Sequence, residues 1–344
     1  MENEYSLIPL TDEIVLGATE ALELRDDMAA LGMESREVDW ICDDLQYAAS
    51  TIKTLGLKAY FYLSDNQDAL AERFGIKAYE KGVTSDALAK LEAEHISAAT
   101  EGLKEYLARF VQLIKTIYEK LKTWVQTVLS HRELYMDLFR KSIDSISALE
   151  GQTVISSVMN KNDAYTLLET IEKLHQFIKS IPDPSSSSFS INTNNSNMVD
   201  IFSKLGLVFD IGQSGGSFYV SNGEKGLAEL YPTVGDTTLV GANWSPSSAK
   251  TFVQRLVALE SLSKFKDITS SAEKHVKKML DDTIKDAKTE DESDSGIATL
   301  VRTRGSTVRM LSKLIVVEHS AVMYCCKTAR MITIRANLEA VRAK

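Results

Sequence analysis

Along this 344-residue chain, apolar positions recur every three or four residues, the spacing of helices that bury one stripe. The first stretch predicts short helices with clear stops. Thr11 or Asp12 can cap a helix carrying Ile14, Leu16, Ala18, Leu22, Met28 and Leu31, with Gly32 as the residue that ends it. Ser35 opens a second helix through Val38, Ile41, Leu45, Ala48, Ile52 and Leu55, closed by Gly56. Asp65 or Asn66 starts a third, Ala69 to Phe74, stopped by Gly75. The aromatic-rich segment between them, Leu57 to Leu63, fits either helix or strand.

Ser85 begins the longest helical signal, which runs to about Leu149 with no proline and a single internal glycine, Gly102. Its stripe, which includes Leu103, Leu107, Phe110, Ile114, Ile117, Leu121, Trp124 and Val128, needs a partner along its whole length, which implies a bundle or coiled coil. The Ser130-His-Arg-Glu133 stretch fits a capping box and predicts a break there. The piece from 86 to 129 alone would span roughly 65 Å.

A further helix is expected from Asp163 to Ile181. The polar low-complexity runs at 182–188 and 192–197 then read as an exposed linker. Leu205–Ile211 and Ser217–Val220 look like two strands joined through Gly212-Gln-Ser-Gly-Gly216, and turn-rich sequence continues to Pro246. Helices resume at Ser247 or Ser248, run to about Phe265 and restart at Ser270 or Ser271. The expected fold is mainly α: an elongated helical bundle with a small insert containing a β-hairpin. Three regions follow: a helical bundle over 1–181, a Ser/Asn-rich linker and small β insert over 182–246, and a C-terminal helical region over 247–344.

Composition supports this picture. Five prolines and 17 glycines are few for the length, which favours long helices over many short strands. No window approaches the roughly 18 apolar residues of a membrane span. The acidic start, Met1-Glu-Asn-Glu4, is unlike a secretory leader, so the chain is expected to be made and kept in a cytoplasm unless another machine packages it. Cys42, Cys325 and Cys326 form no disulfide framework and read as reduced thiols, two of them on or beside a helix core.

Net charge is −9, but its distribution is more informative. Residues 1–50 hold thirteen acids against Arg25 and Arg36, whereas residues 301–344 hold nine bases against Glu318 and Glu339. Ends of opposite sign suggest mutual packing, within one chain or head to tail between copies. In the last helix, Arg302, Arg309, Lys313, Lys327, Arg335 and Arg342 fall within a sector of roughly 80° at about 100° per residue. Opposite them lie Leu300, Leu311 and a seam spaced by sevens, Ile315, Val322, Ala329 and Ala336. The six basic residues are the candidate nucleic-acid contacts, giving sequence-independent, salt-sensitive binding of DNA phosphates. The competing readings, which common charged helix faces and the acidic chain as a whole favour, are a solvated face and a face paired with the acidic N-terminal helices.

Chemistry-bearing motifs are sparse. Gly212-Gln-Ser214-Gly-Gly216 matches the nucleophile-elbow pattern, but that mechanism needs a helix next, and a second strand is expected instead. A serine hydrolase built on Ser214, with Asp236 or Asp267 and His275, is therefore the weakest functional class. His95, His131, His175, His275 and His319 are scattered without ligand spacing, and the acidic run from Asp281 to Asp294 lacks the turn glycine of a cation loop. No metal, no cofactor and no catalytic residue is expected.

The run Ala21-Leu-Glu-Leu-Arg-Asp-Asp-Met-Ala-Ala-Leu-Gly-Met-Glu-Ser35-Arg-Glu, with the uninterrupted helices to Leu149, resembles internal head and other virion structural proteins of large tailed bacteriophages. The resemblance covers the helical N-terminal part. It implies a non-enzymatic protein of the capsid interior that touches DNA or the shell. Together with the helix stripes and the basic face, the expected partners are further copies of the chain as a homo-oligomer, other virion proteins, or DNA through the C-terminal helix, with the chain made in the host cytoplasm and no membrane partner.

Overall fold

The structure is a computed structural model, and it describes residues 12–57, 59–60, 84–147, 155–180, 196–211, 218–232, 240–259 and 294–342. It is mainly helical, with long helices packed side by side. In chain order the elements are α1 (Asp12–Leu55), α2 (Ser85–Ser147), β1 (Ile155–Ser157), α3 (Lys161–Ser180), α4 (Ser196–Lys204), β2 (Leu207–Ile211), β3 (Phe218–Asn222), α5 (Leu227–Leu230), β4 (Val240–Trp244), α6 (Pro246–Ala258) and α7 (Asp294–Arg342).

The expected short helices at the start are one helix of 44 residues. Gly32 does not end it. A lone glycine costs a helix only about 1 kcal/mol, and α1 recovers far more by burying Met28, Val38, Ile41, Leu45 and Ile52 against neighbouring helices. Gly56, at φ +84°, is the true stop. After it, Leu57, Ala59 and Tyr60 are helical; the helix expected at 69–74 lies outside the described residues. The predicted break at Ser130 is likewise absent. α2 runs unbroken for 63 residues, roughly 95 Å, because Arg132 is drawn into the core and holds the helix through that point.

α3 begins two residues before the expected Asp163, and Asn160 caps it by accepting the Asp163 backbone N–H at 2.9 Å. α4 occupies the end of the polar run and the apolar Met198-Val-Asp-Ile201-Phe, where no helix was expected. The hairpin of β2 and β3 matches the strands anticipated there, in register from Leu207 opposite Asn222 to Ile211 opposite Phe218. Gly206 leads into it at φ +70°, with a β-carbon position only 2.4 Å from the Lys225 carbonyl oxygen, so no larger residue fits. β1 and β4 form a second antiparallel pair that the sequence did not suggest. α6 starts at Pro246, with a capping box between Ser245 and Ser248.

One apolar core draws on all three regions read from the sequence, from Met28 and Trp124 through Leu168 and Phe202 to Phe252, Leu314 and Ala336. A second lies between α1, α2 and the start of α7, around Leu45, Phe110 and Val301. α7 is the axis of the molecule. Every side chain described from Val301 to Asn337 is buried or half-buried. The anticipated seam is fully enclosed at Val322, Ala329 and Ala336. α2 and α7 approach closely at Gly305, where a β-carbon would stand 2.4 Å from the Phe110 ring.

Candidate functional site

The basic residues predicted to share one sector of the last helix divide into different environments. Arg302, 1 % exposed, lies inside. Its Nε donates to Asp39 Oδ1 at 2.7 Å, Nη1 donates to Gln46 Oε1 at 3.1 Å, and Nη2 pairs with Asp43. One turn pair further on, Arg309 Nη2 donates to Asp39 Oδ2 at 3.2 Å, and the Tyr219 hydroxyl donates to the same oxygen at 2.6 Å. The acidic N-terminal helix and the basic C-terminal helix thus meet within one chain, at Asp39. Lys313 is half-buried and lines a cavity. Lys327 and Arg335 are half-buried, and the side chain of Arg342 lies outside the described residues, as does that of Leu300.

The electrostatics follow from burial and pairing. Burial pushes the Asp39 carboxyl up, but Arg302, Arg309 and the Tyr219 hydroxyl together hold it below the ordinary carboxylate range. Burial works against the charge on Arg302, yet Asp39 and Asp43 outweigh it and raise its pKa. For Arg309 burial dominates and its pKa falls, since one shared oxygen of Asp39 is its only anionic partner among the described residues. The ring of Tyr219 also meets two guanidinium groups, Arg36 at 4.6 Å and Arg309 at 5.0 Å from its centroid.

Beside this cluster, α1, α2, β3 and α7 line a partly open cavity of about 650 Å³. Arg25, Arg36, Arg309 and Lys313 contribute to its lining, together with apolar side chains such as Met28 and Met310. Sequence reasoning had flagged Arg309 and Lys313. It missed Arg36 and Tyr219, whose role appears only when the hairpin is brought against α1.

A second buried ion group joins α2, α3 and α7. Arg132 Nη1 and Nη2 donate to Glu318 Oε2 and Oε1 at 2.9 and 3.2 Å, and His175 Nε2 lies 3.0 Å from Oε1. Burial pushes Glu318 up, but Arg132 and His175 overcome it and bring its carboxyl down to about 2. The group is internal, with Glu318 only 1 % exposed, so it serves the packing of three helices.

The three thiols are free and buried, and burial pushes Cys42 and Cys326 up to about 12. Ser214, Asp236, Asp267, His275 and the acidic run 281–293 lie outside the described residues. Among the described residues, no group of three or more His, Cys, Asp or Glu is placed to hold a metal. Among them, too, no helix is long and apolar enough to cross a membrane.

α1 also carries large apolar residues that stay at least half exposed. Met33, Trp40 and Tyr47 are spaced by sevens and are 71, 50 and 52 % exposed. Leu22 and Leu55 extend the row to both ends of the helix, and the five fall within roughly 80° of arc. Compared with known proteins, the chain matches no family model, no curated protein and no solved structure.

Proposed function

We propose that this chain is a non-enzymatic structural protein of a tailed-bacteriophage particle, held inside the capsid and acting through helix-to-helix contacts with further copies of itself. The observation that carries the reading is the outward row Leu22, Met33, Trp40, Tyr47 and Leu55 on α1. Large apolar side chains left in water along a helix, at the spacing of a packed seam, mark a contact surface. The middle of the row, Met33, Trp40 and Tyr47, repeats by sevens and can pack against the same residues of a second copy, as a symmetric interface requires. The resemblance of residues 21–37 to phage head proteins supplies the setting. A surface for nucleic acid on α7 is less well supported, because the side chains of Arg302 and Arg309 are buried, 1 and 9 % exposed, where a duplex does not reach.

The test is protease treatment of purified particles of the phage that encodes the chain, before and after the capsid is opened. Protection that disappears on opening supports the proposal. Absence of the protein from the particles sinks it.

A further inference from the structure

Among the described residues, four cations border the cavity between α1, β3 and α7, and a single lining carboxylate joins them. That acid, Asp26, is exposed and already held by Arg25 at 3.0 Å. Arg309 has a side chain only 9 % exposed, and its Nε and Nη1 have no hydrogen-bond partner among the described residues. Arg36 lies against Trp40 at 4.9 Å and Tyr219 at 4.6 Å, with its Nε also unpartnered there. Lys313, one turn beyond Arg309 on α7, is pushed down from the ordinary ammonium range by burial and by Arg25.

Cationic charge that has left water without full pairing is costly, and a bound anion removes that cost. With Arg25 held by Asp26 and Arg309 by Asp39, Arg36 and Lys313 carry the excess charge, and a phosphoryl group brings close to two negative charges and three acceptor oxygens to meet it. The rest of the wall is apolar, with Met28, Met310 and Val316, and Ser312 and Asn222 add polar groups. Size and mixed lining both suit a small molecule, since such pockets run from about 300 to 1,000 Å³.

We propose that this cavity binds a small phosphorylated molecule, its phosphoryl group held by Arg36, Arg309 and Lys313 and its less polar body laid against the methionine and valine wall. Gly32 of α1 also borders the space, and a β-carbon there would meet nothing within 4 Å. A larger residue at that position would fill the cavity without changing its charge.

The test titrates inorganic phosphate, a nucleoside 5′-monophosphate and a short DNA duplex into the full-length protein. Calorimetry gives the stoichiometry, and fluorescence reports on Trp40, the half-exposed tryptophan beside Arg36; Trp124 and Trp244 are buried. The expected result is saturable binding of one nucleotide per chain, tighter than phosphate alone. Lys313→Gln and Gly32→Leu should each weaken it by about tenfold or more, the size of one lost charge-assisted contact. Lys104→Gln, at an exposed position on α2, should leave it unchanged. Failure of the nucleotide to saturate below about 1 mM overturns the proposal. So does equal weakening by Lys104→Gln, or wild-type binding by Lys313→Gln. Tighter binding of the duplex than of the nucleotide overturns the small-molecule site and points to a nucleic-acid surface instead.

Discussion

Two glycines on neighbouring helices show how differently one residue type can be constrained. At Gly305 an added methyl group would collide with the Phe110 ring, which packs in the core between α2 and α7. At Gly32 an added methyl group would project into open space, on a helix backbone that needs no positive φ. Gly305→Ala should therefore destabilise by about 1–3 kcal/mol through overpacking. Gly32→Ala should stabilise by about 0.5–1 kcal/mol by restricting the unfolded chain and favouring helix. Urea denaturation of the two variants checks both signs, and equal shifts would contradict the packing described. From sequence, Gly32 looked like a helix stop and Gly305 drew no notice. A glycine's local signal does not report what stands across from it.

At the scale of elements, the long α2 and α7 were legible because each keeps an apolar stripe over many turns. Their exact partners were less so. Opposite charge on the two ends of the chain suggested mutual packing of acidic and basic helices, and Asp39 with Arg302 shows where they meet. The cavity was not legible, because it needs α1, α7 and the hairpin strand bearing Tyr219 to converge. β1 and β4 escaped notice for another reason: strands of three and five residues carry too short a pattern to separate from turns. The group of Arg132, Glu318 and His175 was invisible as well, since charged residues in a helical sequence read as surface. It makes a pH prediction. Glu318 titrates near 2 in the folded protein, against an ordinary value of 4.5. Its contribution is therefore complete above about pH 4.5 and is lost as the pH falls toward 2. Between those limits the wild type should lose on the order of 3 kcal/mol more than Glu318→Gln, as measured by urea melts across the range. At neutral pH the same variant should itself cost about 3–5 kcal/mol, because it leaves Arg132 buried without its counter-charge. Parallel pH profiles for the two proteins would rule out that role for Glu318.

For the whole molecule, the outward row on α1 makes a prediction about association. Glu23, Asp26, Glu37 and Asp44 are exposed on the same helix. Two copies meeting through this surface would bring like charges near each other, so salt should strengthen their association by screening. Sedimentation velocity should show a larger species that grows with ionic strength. Trp40→Glu and Tyr47→Glu should shift it to monomer while moving stability by less than about 0.5 kcal/mol, as surface changes usually do. A wild type that stays monomeric at every salt concentration would remove this surface from the proposal.

The central place of α7 also sets the order of events during synthesis. The bond between Asp39 and Arg302 spans 263 residues of chain. At about 5–20 residues per second, a ribosome needs roughly 13–50 s between making the first partner and the second. Throughout that interval α1 and α2 can pair, but the trough that α7 will fill stands open, with Phe110 uncovered and Asp39 without its guanidinium. The newborn chain is thus at its most adhesive just before α7 is made, and a stall at that point would leave the trough free to capture a neighbour.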